Sequence, residues 1–294
     1  MNRILHNNLQ QKNMKTVAIQ GIEGAYHDIA ARKYFQAEGK ISILPCNQFR
    51  DIISALKKDP NLFGVMAIEN TIAGSLLQNH ELIRESDMAV IGEEKLRISH
   101  CLAAVSRQTV HDIKEIHSHP IALMQCRDFL NTLPNVTIIE KDDTASSAAN
   151  IAKQQLTGAA AICSKYAAEL YGLEILAEGI ETNKHNATRF LILSNPWIAD
   201  EMLENATPDK SSVVFTLPHT EGSLSKVLTI LSFYDVNLTK IQSLPIIGRE
   251  WEYLFYVDVI FKNYMRYKQA INAVLPLTKG FKIIGEYYET NCSC

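Results

Sequence analysis

Thr16-Val17-Ala18-Ile19-Gln20 runs into Gly21-Ile22-Glu23-Gly24-Ala25-Tyr26, and a helical pattern follows over residues 27–37. The order is apolar strand, glycine turn, helix, and its repetition decides the fold. Residues 41–44 read as a second strand, 49–57 as a helix and 63–68 as a third strand. Short apolar runs at Val90, Ile116, 136–139, 159–162 and 191–193 continue the rhythm. Such alternation predicts an α/β fold in which helices cover one or more largely parallel sheets.

A strand-like segment with a broken pattern (97–106) and a polar, glycine-started segment (179–185) predict two chain crossings, near residues 95–98 and 180–186. Two crossings make a two-lobed clamp: lobe 1 from about 15–96 and 184–196, lobe 2 from about 97–183. Clefts between such lobes are preferred ligand sites, because strand-to-helix turns bring backbone donors there. Asn195-Pro196 ends the last strand, and the polar stretch 197–210 reads as a linker. A second domain spans 211–290: strand 212–217, helix 223–234, strand 237–245, a turn at Gly248, strand 253–261, helix 265–275, strand 281–287. That order is a ferredoxin-like βαββαβ unit.

The 294 residues are 47% hydrophobic and 21% charged, the balance of a soluble globular chain. A formal net charge of -3 gives no field for nucleic acid, so no nucleic-acid partner is expected. No stretch approaches the roughly 18 apolar residues of a membrane span, and Met1 to Gln20 lacks a signal-peptide core. The expectation is a cytoplasmic protein with no membrane partner, preceded by a polar leader over 1–14. The six cysteines (Cys46, Cys101, Cys126, Cys163, Cys292, Cys294) lie among apolar neighbours and read as buried thiols. The terminal C-x-C has no second pair at zinc spacing, so no metal is expected.

Five short motifs fall at strand ends or helix starts. Gly21 to His27 exposes amides at a tight turn, which serves an anion or simply the turn. Glu69-Asn70-Thr71-Ile72-Ala73-Gly74-Ser75 follows a buried strand and suits carboxylate capture or helix capping by Ser75. Ser118-His119-Pro120 sets a proline at a first helical position, with His119 either structural or in a polar cleft. Asp142-Asp143-Thr144-Ala145-Ser146-Ser147 opens a helix with more hydroxyls than one cap needs. Asn186-Ala187-Thr188-Arg189-Phe190 sets a hydroxyl beside a fixed positive charge at a strand mouth, read equally as a strand beginning or an anion site. No nucleophile elbow, phosphate loop or dinucleotide fingerprint is present, so no cofactor is expected.

Taken in order, Ser118 to Cys126 (S-H-P-x-A-L-x-Q-C), Thr144 to Ala148, Glu69-Asn70 with Gly74-Ser75, and Thr188-Arg189-Phe190 resemble the prephenate dehydratase family over nearly the whole chain beyond the leader. The resemblance implies a catalytic domain similar to type II periplasmic binding proteins, over residues 15–196. It implies a lyase that converts prephenate to phenylpyruvate, water and carbon dioxide in phenylalanine biosynthesis. Thr188 and Arg189 are then the catalytic candidates, with Thr188 assisting departure of the ring hydroxyl by an oriented hydrogen bond. Arg189 either neutralises a substrate carboxylate or pairs with an acid of its own lobe. Gly24, Asn70, Gly74, Ser75, Thr144 and Ser146 are the substrate-binding candidates. The first turn departs from the family's G-P-x-G-T-F-S, having Ile22, Ala25, Tyr26 and His27.

The second domain resembles an ACT regulatory module, which in this family binds phenylalanine. Gly222, Ser223 and Leu224 match the family's G-A-L segment, and Gln242-Ser243 fall in its E-S-R-P, of which Ser243 and Pro245 remain. Replacing an acid by Gln242 and an arginine by Leu244 removes two charge-assisted hydrogen bonds. The resemblance implies L-phenylalanine as effector and a homodimer or homotetramer. Arogenate dehydratase, which handles an amino group instead of a keto group, is the alternative enzyme reading. A non-catalytic amino-acid sensor is the alternative from another class.

Overall fold

The structure, a computed structural model, describes residues 14–204, 206–246 and 252–290. The leader up to residue 13, the turn at Gly248 and the Cys292/Cys294 tail lie outside the described residues. The chain opens with β1 (Thr16–Gln20), α1 (Tyr26–Tyr34), β2 (Ser42–Cys46), α2 (Phe49–Lys58), β3 (Phe63–Asn70), β4 (Gly74–Ser75), α3 (Leu77–Glu85) and β5 (Ala89–Arg97). It then crosses to β6 (Cys101–Ala104), β7 (Glu115–Ser118), α4 (Pro120–Gln125), α5 (Arg127–Asn131), β8 (Thr137–Glu140), α6 (Thr144–Gln154), β9 (Ala159–Cys163), α7 (Lys165–Leu170) and β10 (Glu174–Glu178). After the second crossing β11 (Ala187–Ser194) returns to the first sheet, whose order is β2-β1-β3-β11-β5. The second sheet runs β10-β6-β9-β7-β8.

The sheets are mixed rather than largely parallel. β1 pairs with β2 and β3 in parallel, but β11 is antiparallel to both β3 and β5. The cause is the double crossing: a strand arriving from the other lobe enters the sheet from the opposite end, which a reading based on local βα repeats does not anticipate.

Alternation along β11 fixes two faces. Phe190 and Ile192 pack with Val17, Ile19 and Val65 under α1, where Ala30, Ala31 and Phe35 are buried. Leu191 and Leu193 pack with Ala18, Ile52, Leu56, Met66 and Ile68 on the α2 and α3 side. Burial of each such side chain contributes roughly 1.5–3 kcal/mol, so a one-residue slip of β11 would be strongly opposed.

The stretch taken as a linker contains a helix, α8 (Pro196–Leu203), with Asn195 before it and Pro196 at its first position. Ala199 is buried on it against the α1-side core. The proline that ends β11 also starts a helix, since its missing N–H costs nothing in a first turn. Next come β12 (Lys210–Thr216), α9 (Ser223–Phe233), β13 (Asn237–Pro245), β14 (Tyr253–Ile260), α10 (Tyr264–Val274) and β15 (Lys279–Tyr287). Their sheet, ordered β13-β14-β12-β15, is antiparallel throughout. One face carries α9 and α10 over Val213, Phe215, Val257 and Val259.

The other face of this sheet joins lobe 1. Val214, Tyr256, Ile284 and Tyr287 share a core with Val90, Leu191 and Leu193. At Gly285 the approach is so close that a Cβ would lie 2.1 Å from the Val90 carbonyl oxygen. Only glycine fits there.

Candidate functional site

β11 and β3 run antiparallel with Thr188 opposite Asn70. The pairing skips Ile68, since Arg189 faces Glu69 but Phe190 faces Ala67. This bulge re-aims the strand end beyond it, the usual effect of an extra residue in one strand. Asn70 is buried, and its Oδ1 accepts hydrogen bonds from the N–H groups of Ile72 and Ala73, both at 2.9 Å. That fixes the amide orientation and turns Nδ2 toward β11, where it donates to Thr188 Oγ1 and Asn186 Oδ1, both at 2.8 Å. Because the Thr188 oxygen accepts here, its own hydroxyl proton is left for a ligand.

The node is tied down on both strands. Ala187 N–H donates to Thr71 Oγ1 at 2.9 Å, and Thr71 N–H donates to the Ala187 carbonyl at 2.9 Å. Asn186 is fully buried, and its Nδ2 has no partner among the described residues. It is a spare donor two residues from Thr188.

Arg189 is not part of that node. A strand has period two, so the guanidinium leaves on the opposite face. There its Nε donates to Glu93 Oε2 at 2.6 Å, Nη1 bonds Asp258, and Nη2 donates to the Tyr287 hydroxyl at 3.0 Å. Lys210 completes the cluster on Glu93 Oε1 at 2.9 Å. Burial alone would lower the Arg189 pKa; Asp258, Tyr287 and Glu93 outweigh it, and the net shift is upward. Burial likewise pushes Asp258 up, but Arg189 and the Ser212 hydroxyl more than reverse it, leaving the carboxyl below its ordinary value. Of the two readings open for Arg189, its contacts are those of pairing with an acid of its own lobe, and they extend to the second domain.

The remaining candidates divide. Gly24 has φ +93, a left-handed conformation that favours glycine. Its N–H donates to Asp28 Oδ2 at 2.8 Å and its carbonyl accepts from Ser164 Oγ at 3.0 Å. It docks lobe 1 on lobe 2 and has no amide free for substrate. Gly74 lies opposite Asn70 on β4, and Ser75 lies opposite Glu69. Ser75 does not cap α3, whose N-cap is Leu76 without a side-chain bond. Thr144 is buried at the first position of α6, where Asp143 is the cap through the Ser146 N–H at 2.8 Å. The Ser146 and Ser147 hydroxyls both donate back to the Asp143 carbonyl, at 2.9 and 2.8 Å, so Ser146 is locally satisfied.

His119 is a cap: its Nδ1 accepts from the Ile121 N–H at 3.2 Å. His27 sits between Phe49 and Phe190 in lobe 1, and burial lowers its pKa to about 4. Tyr26 instead reaches the first crossing, donating to the Ser99 carbonyl at 2.6 Å. Beside it His100 Nε2 lies 3.0 Å from Gln125 Oε1, and Glu181 accepts the His100 N–H at 2.9 Å. Tyr26, His100, Gln125 and Glu181 are not among the site candidates that the sequence offers. In the polar stretch 181–186 nothing in the sequence marks Glu181 as the acid that is buried.

In the second domain Gly222 caps α9 with φ +73, and Ser223 Oγ donates to the Thr220 carbonyl at 2.9 Å. Leu224 packs partly into the helix-side core. Gln242 and Ser243 lie on β13, at the sheet edge, where Gln242 Nε2 donates to the Ser243 carbonyl at 3.0 Å. Among the described residues no hydrogen bond joins the two segments. No group of three His, Cys, Asp or Glu side chains among them is placed to hold a metal. Among the described residues no helix is long and apolar enough to cross a membrane.

Fold and site together are those of a two-lobed α/β enzyme that presents a hydroxyl and buried amides where the chain recrosses between lobes. The prephenate dehydratase family model matches residues 17–197. The chain belongs to that family, whose members are lyases. Arogenate dehydratase 2 of Petunia hybrida is 36% identical over 92% of this chain and 71% of its own. A prephenate dehydratase from Arthrobacter aurescens, solved in complex with L-Phe, is 26% identical with TM-score 0.78, covering 93% of this chain and 90% of that one. A solved quorum quenching acylase, GqqA, is 30% identical with TM-score 0.80 over 94% of this chain and 98% of its own.

Proposed function

We propose that the chain converts prephenate to phenylpyruvate, with Thr188 as the catalytic residue. The observation that carries this reading is the Asn70 Nδ2 bond to Thr188 Oγ1 at 2.8 Å, in which the hydroxyl oxygen accepts and its own proton stays available to donate. In the reaction the bond from the ring to its carboxylate breaks, its electron pair enters the ring, and carbon dioxide leaves. The ring hydroxyl departs at the same time and takes up a proton to become water; aromatisation supplies the driving force. A threonine hydroxyl is a weak acid, so its contribution is a hydrogen bond that strengthens as charge grows on the leaving oxygen. With Arg189 committed elsewhere, substrate carboxylates fall to uncharged donors, for which Thr144 and Ser75 are the candidates.

The βαββαβ domain is an ACT module under this reading, with L-phenylalanine as effector and with coupling of about 1–3 kcal/mol. Coverage of 93% of the chain by a relative solved with L-Phe supports it. The β13 edge suits pairing of two such domains in a homodimer or homotetramer. Arogenate is the second substrate reading, favoured by the 36% identity to an arogenate dehydratase. Ultraviolet assay of the purified chain with each substrate, with and without phenylalanine, tests all of this. Turnover of prephenate at the higher kcat/KM is expected. Preference for arogenate would reassign the substrate, and turnover of neither would remove the reaction.

A further inference from the structure

The two strands that carry the Asn70–Thr188 pair are each gripped one residue away by the second domain. Glu69 precedes Asn70, and its Oε2 lies 2.9 Å from Lys240 Nζ on β13. Arg189 follows Thr188 and bonds Asp258 on β14 and Tyr287 on β15. Both grips fall at the bulge, where the ladder between β3 and β11 loses register and holds its strands least. Asp258 is in turn held by Ser212 Oγ on β12, and Lys240 also touches His80 Nε2 of α3 at 3.2 Å. Each strand of the second domain's sheet thus contributes a group to the back of the catalytic pair.

We propose that Arg189 and Glu69 are positioning residues through which the second domain sets the Asn70–Thr188 geometry, so that catalysis in the lobes depends on how that domain is docked. The proposal rests on the assignment of Thr188 as the catalytic residue. The clamp works by geometry, because period two sends Thr188 and Arg189 to opposite faces while their Cα atoms stay about 3.8 Å apart. A rotation of β14 that moves Asp258 therefore moves Thr188 with it. Any ligand that re-docks the second domain has this lever on the chemistry, and needs no contact with the cleft.

The test uses the full chain with Asp258→Asn and, separately, Lys240→Met, each also made in a Thr188→Ala background. Misplacing a reacting group by about 1 Å costs on the order of 10²-fold. Each single variant is expected to lower kcat for prephenate by about 10-fold to 100-fold, with KM within about threefold. In the Thr188→Ala background the same changes are expected to leave the residual rate unaltered, because the hydroxyl they position is gone. Amide hydrogen exchange supplies a readout independent of turnover: Asp258→Asn should speed exchange at Asn70 and Thr188 while the α9 and α10 amides stay protected. Equal kcat losses with and without Thr188 would make the network merely structural and overturn the proposal. So would unchanged exchange at Asn70 and Thr188. If the wild type turned over neither prephenate nor arogenate, the assigned reaction would fall, and exchange would still decide the clamp.

Discussion

The two faces of β11 differ in almost every physical respect, although Thr188 and Arg189 are neighbours in one motif. Thr188 is half-buried and meets only uncharged groups, the amide of Asn70 and, through it, that of Asn186. Arg189, with 10% of its side chain exposed, is paired with Glu93 and Asp258, and Lys210 shares Glu93 with it. On the first face a weak donor gains strength from a fixed orientation. On the second a full charge is consumed in holding two domains together. A sequence motif on a strand is thus two half-motifs: one residue faces the cleft, and its neighbour on the other face anchors the strand that carries it.

The largest effect belongs to the first face. Thr188→Ala is expected to lower kcat by roughly 10²-fold to 10⁴-fold while prephenate still binds, as measured by steady-state kinetics alongside calorimetry. A raised Kd with unchanged kcat would break the comparison by making Thr188 a binding group.

On the second face the expected effect is on stability. Arg189→Leu leaves Asp258 buried without its guanidinium and Glu93 with Lys210 as its close partner, and breaking such a buried cluster costs about 3–5 kcal/mol. Urea unfolding should show this in the midpoint, while the KM of the folded fraction stays within about threefold. A several-hundred-fold rise in KM without loss of stability would return Arg189 to the substrate.

Each face also rests on a histidine that burial keeps neutral. His27 lies beneath Phe190 with its pKa lowered to about 4. His80 lies against Tyr256 with its pKa lowered to about 3 by burial and then by Lys240. As pH falls below about 6.5 the unfolded chain takes up these protons first, so stability is full above that value and drains toward pH 4. From pH 7 to 5 the two contribute a loss of about 2–4 kcal/mol, and His27→Phe should remove about half of it. A pH-independent unfolding midpoint across that range would contradict their burial as neutral groups.

Much of the fold was legible because α/β rhythm is local: apolar runs of four or five residues, glycine turns and proline at helix starts are written in adjacent residues. What sequence could not show was long-range. The antiparallel entry of β11 depends on the double crossing, and α8 was concealed because Asn195-Pro196 ends a strand and starts a helix alike. Thr188 and Asn70 were legible as chemistry-bearing residues, but not that one orients the other across 118 positions. Ser146 and Gly24 looked like ligand groups because a hydroxyl or amide bonded to its own turn has the same sequence as one left open.

Glu93-Glu94-Lys95 has the composition of a short mixed charge run, yet Glu93 is fully buried and Glu94 nearly so. Its partners Lys210 and Arg189 come from segments more than 90 residues away. Two adjacent acids in a strand that also carries Val90, Ile91 and Leu96 were the available signal, since charge in a core strand demands a partner.

The most direct test of the division between the two faces is single-turnover formation of phenylpyruvate from prephenate by Thr188→Ser and Thr188→Val, compared with the unaltered chain. Serine keeps the hydroxyl that Asn70 orients, and valine keeps the shape without it. The predicted result is a serine variant within about tenfold of the original rate and a valine variant slower by at least about 10²-fold. A valine variant as fast as the serine one would contradict the assignment of Thr188.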